Sequence, residues 1–229
     1  MGAQFFITGT DTDAGKTTVA AGLLNAARQA GLSTAAVKPV ASGSEATAVG
    51  LRNSDALILQ GQCSLELAYE QVNPYAFAPA IAPHLAARQV GVELQLSALV
   101  AAVEHVLDMQ ADFTLVEGAG GWLVPLNSTA SLSDVTIALG VPVILVVGVR
   151  LGCINHALLT AQAIAADGLR LAGWVANVVD ANTACLEDIL ATLDECLSAP
   201  CLGRVPRLAD PSPVAVAEYL DLSLLRLPC

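Results

Sequence analysis

Residues 9–17 read Gly-Thr-Asp-Thr-Asp-Ala-Gly-Lys-Thr, which brings a glycine turn, an ammonium and a hydroxyl together in one short segment. Those groups suit a nucleoside triphosphate. Gly15 lets backbone N–H groups crowd around phosphate oxygens, Lys16 reaches the terminal phosphates, and the Thr17 hydroxyl can ligate Mg²⁺. A helix starting at this point turns its positive end toward the same anion. The spacing departs from the usual loop, because five residues instead of four separate Gly9 from Gly15. Phe5-Phe6-Ile7 before the loop and Val19 to Leu24 after it supply the strand and helix that a phosphate loop needs.

Further chemistry falls just after other apolar runs. Lys38 is either a second cation for a transferring phosphoryl group or a substrate carboxylate, or an ordinary lysine at a strand terminus. Asp55 reads first as a helix-start carboxylate, with magnesium ligation as the alternative. Glu117 ends Leu-Val-Glu-Gly-Ala-Gly-Gly, the form of an acid that partners a phosphate loop in holding Mg²⁺. Gly118 and Gly120 let the backbone there approach a ligand closely. The segment from Gly148 to His156 is an anion site at a helix start or a plain strand–helix connection. Asn177 is an amide suited to an adenine edge or to a turn.

These groups need a scaffold that puts strand ends side by side. Strands are predicted at 4–8, 34–37, 113–116, 143–147, 171–177 and 201–205, and helices at 16–30, 54–60, 96–109, 133–138, 154–166 and 183–197. The strands are continuous Val/Ile/Leu runs without polar alternation, as in a parallel sheet covered on both faces. Strand and helix alternate throughout, which predicts one doubly wound α/β domain over 1–229, with ligands beyond the carboxyl ends of its strands. The proline-interrupted stretch 65–91 excludes a long helix and has the length of a functional loop. The last twenty residues read as a surface return ending in a short helix.

Bulk composition narrows the function classes. The chain is 55% hydrophobic and only 14% charged, so its core is large. A net charge of −11, with no basic run, argues against nucleic acid and anionic lipid as partners. The longest apolar stretch, 141–149, is too short to span a bilayer, and the N-terminus shows no export segment, so a cytoplasmic protein is expected. Six cysteines, at 63, 153, 185, 196, 201 and 229, contain no Cys-x-x-Cys pair and are expected to be free thiols. The three histidines are scattered and form no ligand cluster.

Taken together and in order, these segments resemble the dethiobiotin synthetase family of the deviant phosphate-loop (P-loop) NTPase group, over nearly the whole chain. The segments are Gly9–Thr17, Lys38-Pro-Val-Ala-Ser-Gly, Leu51-Arg-Asn-Ser-Asp-Ala, Val116-Glu-Gly-Ala-Gly-Gly-Trp, Leu151-Gly-Cys-Ile-Asn-His and Gly173-Trp-Val-Ala-Asn. The lengthened phosphate loop is similar to that family's own. The resemblance implies ATP and Mg²⁺ as cofactors, and 7,8-diaminononanoate and CO₂ as substrates. The product, dethiobiotin, would form through a carbamate and a carbamic–phosphoric anhydride. It further implies Lys16 and Lys38 as catalytic cations, and Thr17, Asp55 and Glu117 as metal ligands. The nucleotide would be held by Asp13, Ala14, Gly15, Lys16, Thr17, Thr18, Gly118, Ala119, Gly120, Asn177, Val178, Pro206, Arg207 and Leu208. Substrate would be held by Thr12, Ser42, Gly152, Cys153 and Asn155, at the interface of a homodimer. The two lysines are expected to lower the pKa of the incoming diamine by like-charge repulsion.

The chain departs from the family pattern in two places. Asp13 stands where familiar members carry glutamate. The segment 182–197 has no aromatic residue, whereas some members use a tyrosine there for the substrate carboxylate. A regulatory or partitioning ATPase of the same group is the rival reading. The loop lacks the extra lysine common in those switches.

Overall fold

A computed structural model describes residues 2–225. The first half of the chain forms β1 (Ala3–Gly9), α1 (Lys16–Gln29), β2 (Thr34–Val37), β3 (Val40–Ala41), β4 (Glu45–Thr47), β5 (Gly50–Arg52), α2 (Ser54–Gly61), α3 (Tyr69–Val72), β6 (Tyr75–Ala76), α4 (Pro83–Gln89) and α5 (Leu96–Leu107). The second half forms β7 (Phe113–Glu117), α6 (Leu132–Leu139), β8 (Val143–Val149), α7 (Cys153–Ala166), β9 (Leu171–Val178), α8 (Leu186–Cys196), β10 (Cys201–Val205) and α9 (Pro213–Ala217), then a 3₁₀ turn at Leu222–Leu224.

Six strands make one parallel sheet in the order β10-β9-β8-β1-β7-β2. Every residue of β7 and β8 is buried, which is why β8 reads as an apolar run and β7 is largely apolar up to Glu117. Alternate side chains enter opposite layers: Phe5 and Ile7 pack with α1 and α9, while Phe6 packs with α5 and α6. Beyond them Leu145, Val147 and Trp174 pack with α7 and α8. The doubly wound α/β fold expected from the sequence is therefore present, with β1 central. After β1 the chain crosses to β2 at one edge, returns to β7, and passes to β8 on the other side of β1. The loop after β1 thus sits where the crossovers diverge, the usual crevice of an open α/β sheet.

Several boundaries differ from the sequence reading. Helix α8 starts at Leu186, not at 183, because Asp180 and Thr183 form a turn first. The stretch 65–91 is more ordered than a loop. It contains α3, β6 and α4, the last opening on Pro83, where a missing N–H costs nothing. β6 pairs with β3, tying Val40 to Tyr75 and Ala41 to Ala76. The C-terminal return carries α9 against α1, where a side chain at Gly22 would meet Val216 at 2.5 Å. Among the described residues the cysteines are free, no three His, Cys, Asp or Glu side chains cluster as a metal cage, and no helix is long and apolar enough to cross a membrane. Cys229 lies outside the described residues.

Candidate active site

The loop after β1 is built on Gly15, which caps α1 in a left-handed conformation with φ 87°. No side chain caps this helix and its first turn holds no acid, so its leading N–H groups remain available to an anion. Asn177, at the end of β9, donates from Nδ2 to the Ala14 carbonyl at 2.9 Å. A carbonyl only accepts, so it is the amide nitrogen of Asn177 that makes this bond. A Cβ on Gly15 would lie 2.0 Å from that same Nδ2. Gly15→Ala is therefore expected to break the Asn177 lock and to weaken ATP binding about tenfold or more, since strain of this kind costs roughly 1–3 kcal/mol. Calorimetric titration with ATP checks it, and unchanged affinity would remove Gly15 from the anion site.

The chain has two lysines, Lys16 and Lys38, and both end in the same cleft of about 680 Å³. Lys16 donates to the carbonyls of Gly120 at 2.6 Å and Asp11 at 3.2 Å, joining the loop after β1 to the loop after β7. Lys38 is buried and paired with Glu117 at 2.5 Å and Asp55 at 2.9 Å. Glu117 Oε1 also accepts from Thr17 Oγ1 at 2.8 Å. Burial lowers the Lys16 pKa below the ordinary lysine value, and the three nearby carboxylates do not fully offset that. Burial acts on Lys38 in the same direction, but Glu117 and Asp55 outweigh it and hold its pKa above the usual value. The two ammoniums thus lie among the carboxylates of Glu117, Asp55 and Asp13.

Asp55 occupies the first turn of α2, yet the cap is Asn53, whose side chain accepts from the Ala56 N–H. The carboxylate of Asp55 is turned to Lys38 instead. Asp55 is thus a helix-start carboxylate, as the sequence suggested, but the capping itself falls to Asn53. Trp122 anchors the loop after Glu117 from below, donating to Asp167 at 2.7 Å and meeting Phe6 edge-on.

The predicted residues divide between two adjoining clefts. Thr12, Ser42, Asp55, Thr17, Ala119 and Gly120 line the first, with both lysines. Asn177, Val178, Pro206, Arg207 and Leu208 line a second, of about 710 Å³. Asp13, Gly15 and Thr18 border both, so one extended ligand could lie across the loop. Ala14 and Glu117 are buried and, like Gly118, line neither cleft. Gly152, Cys153 and Asn155 are not brought to either cleft of the single chain: Gly152 caps α7 from an exposed position, Cys153 is buried and Asn155 is exposed. Sequence reading missed the ion pair of Arg150 and Asp11 at 2.5 Å, which ties the loop after β8 to the loop after β1. It also missed Asn53, Tyr69 and Asn73, which lie behind Lys38. The Asn-Ser-Asp start of α2 and the four-residue spacing of Tyr69 and Asn73 were the only local signals.

Comparison with known proteins agrees with this geometry. The family described as "AAA domain" matches residues 3–215. The ATP-dependent dethiobiotin synthetase of Pseudomonas paraeruginosa is 72% identical over 218 residues, covering 95% of this chain and 96% of that protein. The ATP-dependent dethiobiotin synthetase of Escherichia coli K12 is 50% identical over 226 residues, covering 98% and 100%. Among solved structures, the MinC:MinD cell division complex of Aquifex aeolicus superposes with a TM-score of 0.57 at 15% identity, covering 95% of this chain and 94% of that one, which shows a shared fold alone. The relatives match the chain over nearly its full length, and the chain belongs to the ATP-dependent dethiobiotin synthetase family.

Proposed function

We propose that this protein carboxylates 7,8-diaminononanoate with CO₂ and closes the ureido ring, giving dethiobiotin with ADP and phosphate as co-products. The observation that carries this reading is the convergence of the chain's two lysines, Lys16 and Lys38, on one cleft lined by Thr17, with buried Glu117 bonded to both Thr17 and Lys38. One amine of the substrate adds to CO₂ and loses a proton, forming a carbamate. A carbamate oxygen then attacks the γ-phosphorus as ADP departs. The second amine attacks the carbonyl carbon of the resulting anhydride, phosphate leaves, and the ring is closed.

Phosphoryl transfer of this kind needs positioning and charge neutralisation more than a nucleophilic side chain. Lys16 is placed for the terminal phosphates by the loop after β1. Lys38, held between two carboxylates, would neutralise charge on the transferring group and the carbamate. Thr12 and Ser42 line the same cleft as polar contacts for the diamine. The base would sit in the second cleft against Asn177, Val178 and the segment 206–208.

The donors also suit Mg²⁺. Glu117 Oε2 is buried with no hydrogen-bond partner among the described residues, while the other oxygen of that carboxylate accepts from the Thr17 hydroxyl and shares Lys38 with half-exposed Asp55. Two carboxylates and one hydroxyl, all hard oxygens, fit a cation that draws its other ligands from phosphate and water. When bound by Thr17, Asp55 and Glu117, Mg²⁺ would neutralise charge on the phosphate oxygens. Gly152, Cys153 and Asn155 take a role only in a homodimer, as contacts to the partner's substrate carboxylate. Leu151, 95% exposed beside that turn, supports a covered face there. A cytoplasmic enzyme is consistent with this chemistry.

Phosphate release with ATP, Mg²⁺, bicarbonate and the diamine tests the reaction. Release should require the diamine, with one dethiobiotin formed per phosphate. Release that ignores the diamine would favour a switch ATPase.

A further inference from the structure

We infer that Tyr69, with Asn53 and Asn73, is a positioning device that sets Lys38 and Asp55 for the reaction, a role that rests on the proposed function. All three side chains are at least nine-tenths buried. Tyr69 Oη accepts from the Asn53 backbone N–H at 2.7 Å and lies 3.0 Å from Asn73 Oδ1. Asn73 Nδ2 donates to the Lys38 carbonyl at 2.8 Å.

The chemistry of the groups fixes every direction in this chain of bonds. An N–H only donates, so the Tyr69 oxygen must accept from Asn53 and spend its own proton on Asn73 Oδ1. That leaves the Asn73 amide nitrogen, a donor, facing the Lys38 carbonyl, an acceptor. The result is one polarised path from the start of α2 to the backbone of Lys38, with no ambiguous link.

Both ends of the path carry a member of the ion pair in the cleft. At one end Asn53 caps α2, whose first turn holds Asp55, and donates from Nδ2 to the Ser42 carbonyl at 3.2 Å. At the other, the Lys38 N–H donates to the Val72 carbonyl at 2.7 Å. The Tyr69 hydroxyl therefore links the two backbones whose side chains meet 2.9 Å apart as Lys38 and Asp55. The Arg52 guanidinium, 4.0 Å above the Tyr69 ring, closes the outer side. A displacement of about 1 Å at a reacting group can cost on the order of a hundredfold in rate. Buried, fully satisfied networks are a means of holding such positions.

Tyr69→Phe removes the hydroxyl and leaves the ring beneath Arg52. Its kcat for diamine-dependent phosphate release should fall on the order of tenfold to a hundredfold, with the KM for ATP within about twofold. A second readout does not depend on activity. Because Lys16 and Lys38 are the chain's only lysines, limited acetylation with acetic anhydride, read by mass spectrometry, gives the ratio of their reactivities directly. Lys38 should become more reactive relative to Lys16 in Tyr69→Phe. Leu190→Ala, a core change on α8, lowers stability away from the cleft and should leave that ratio and the kcat of the folded fraction unchanged.

An unchanged acetylation ratio in Tyr69→Phe, or a kcat loss matched by Leu190→Ala at equal loss of melting temperature, would overturn the positioning role. If the parent protein shows no diamine-dependent release, the proposed reaction fails, while the acetylation ratio still decides the network. Should Tyr69→Phe not fold, Asn73→Ser, which loses the long reach to the Lys38 carbonyl, is read in the same two ways.

Discussion

Lys38→Met is expected to lower kcat by about 10²–10³-fold, the usual loss when one charge-stabilising donor is removed from a reacting centre. ATP binding should persist, because Lys16 and the helix start at Gly15 are untouched. A second effect would otherwise obscure this result. Lys38 and Glu117 are a buried pair, and deleting one partner leaves the other charge uncompensated, at a cost of about 3–5 kcal/mol. Lost turnover in the single variant could then reflect lost folding. The double variant Lys38→Met with Glu117→Gln removes the stranded charge, so denaturant unfolding should recover most of the parent's stability. Turnover should stay low. A double variant that regains turnover along with stability would assign Lys38 to the scaffold and not to the reaction.

The main sheet was legible in the sequence because its strands are buried on both faces. Val143–Val149 can be nothing but apolar, and the glycine-rich loop marks where β1 gives way to α1. The strand order was not legible, since placing β7 between β1 and β2 depends on which crossovers pack, and no local pattern records that. The pairing of β3 with β6 was invisible for a related reason. Two-residue strands separated by over thirty positions have no periodicity to detect.

The residues after the strands, Lys16, Lys38, Glu117 and Asn177, could be picked out because an open parallel sheet gathers its strand ends on one rim. What holds them could not. Tyr69 and Asn73 lie in a stretch that reads as proline-broken loop, and their value comes from contacts with Asn53 and Lys38 that only folding creates. Asp55 shows the same limit. Its position near a helix start suggested a cap, but Asn53 takes that task and frees the Asp55 carboxylate for the lysine. That pairing arises only on folding, and so it could not be anticipated from residue types alone.

Glu117→Gln should separate the metal from the nucleotide. The amide keeps the shape of the side chain and an oxygen for Thr17 and Lys38, while the negative charge is lost. With Mg²⁺ present, ATP affinity is expected to fall at least about tenfold, the scale on which changes in and around a metal's ligands act. With EDTA present, ATP affinity should hold or improve, because the negative charge buried behind Thr17 no longer opposes the triphosphate. The physical basis is the buried Oε2, an acceptor without a partner in a site otherwise satisfied by hydrogen bonds. A carboxylate oxygen is costly to bury in that state unless a cation accounts for it. Calorimetric titrations of ATP in the two conditions read the difference directly. Equal losses with and without Mg²⁺ would mean that Glu117 serves the pocket's structure through Lys38 and Thr17, and that the metal is held by Thr17 and Asp55 without it.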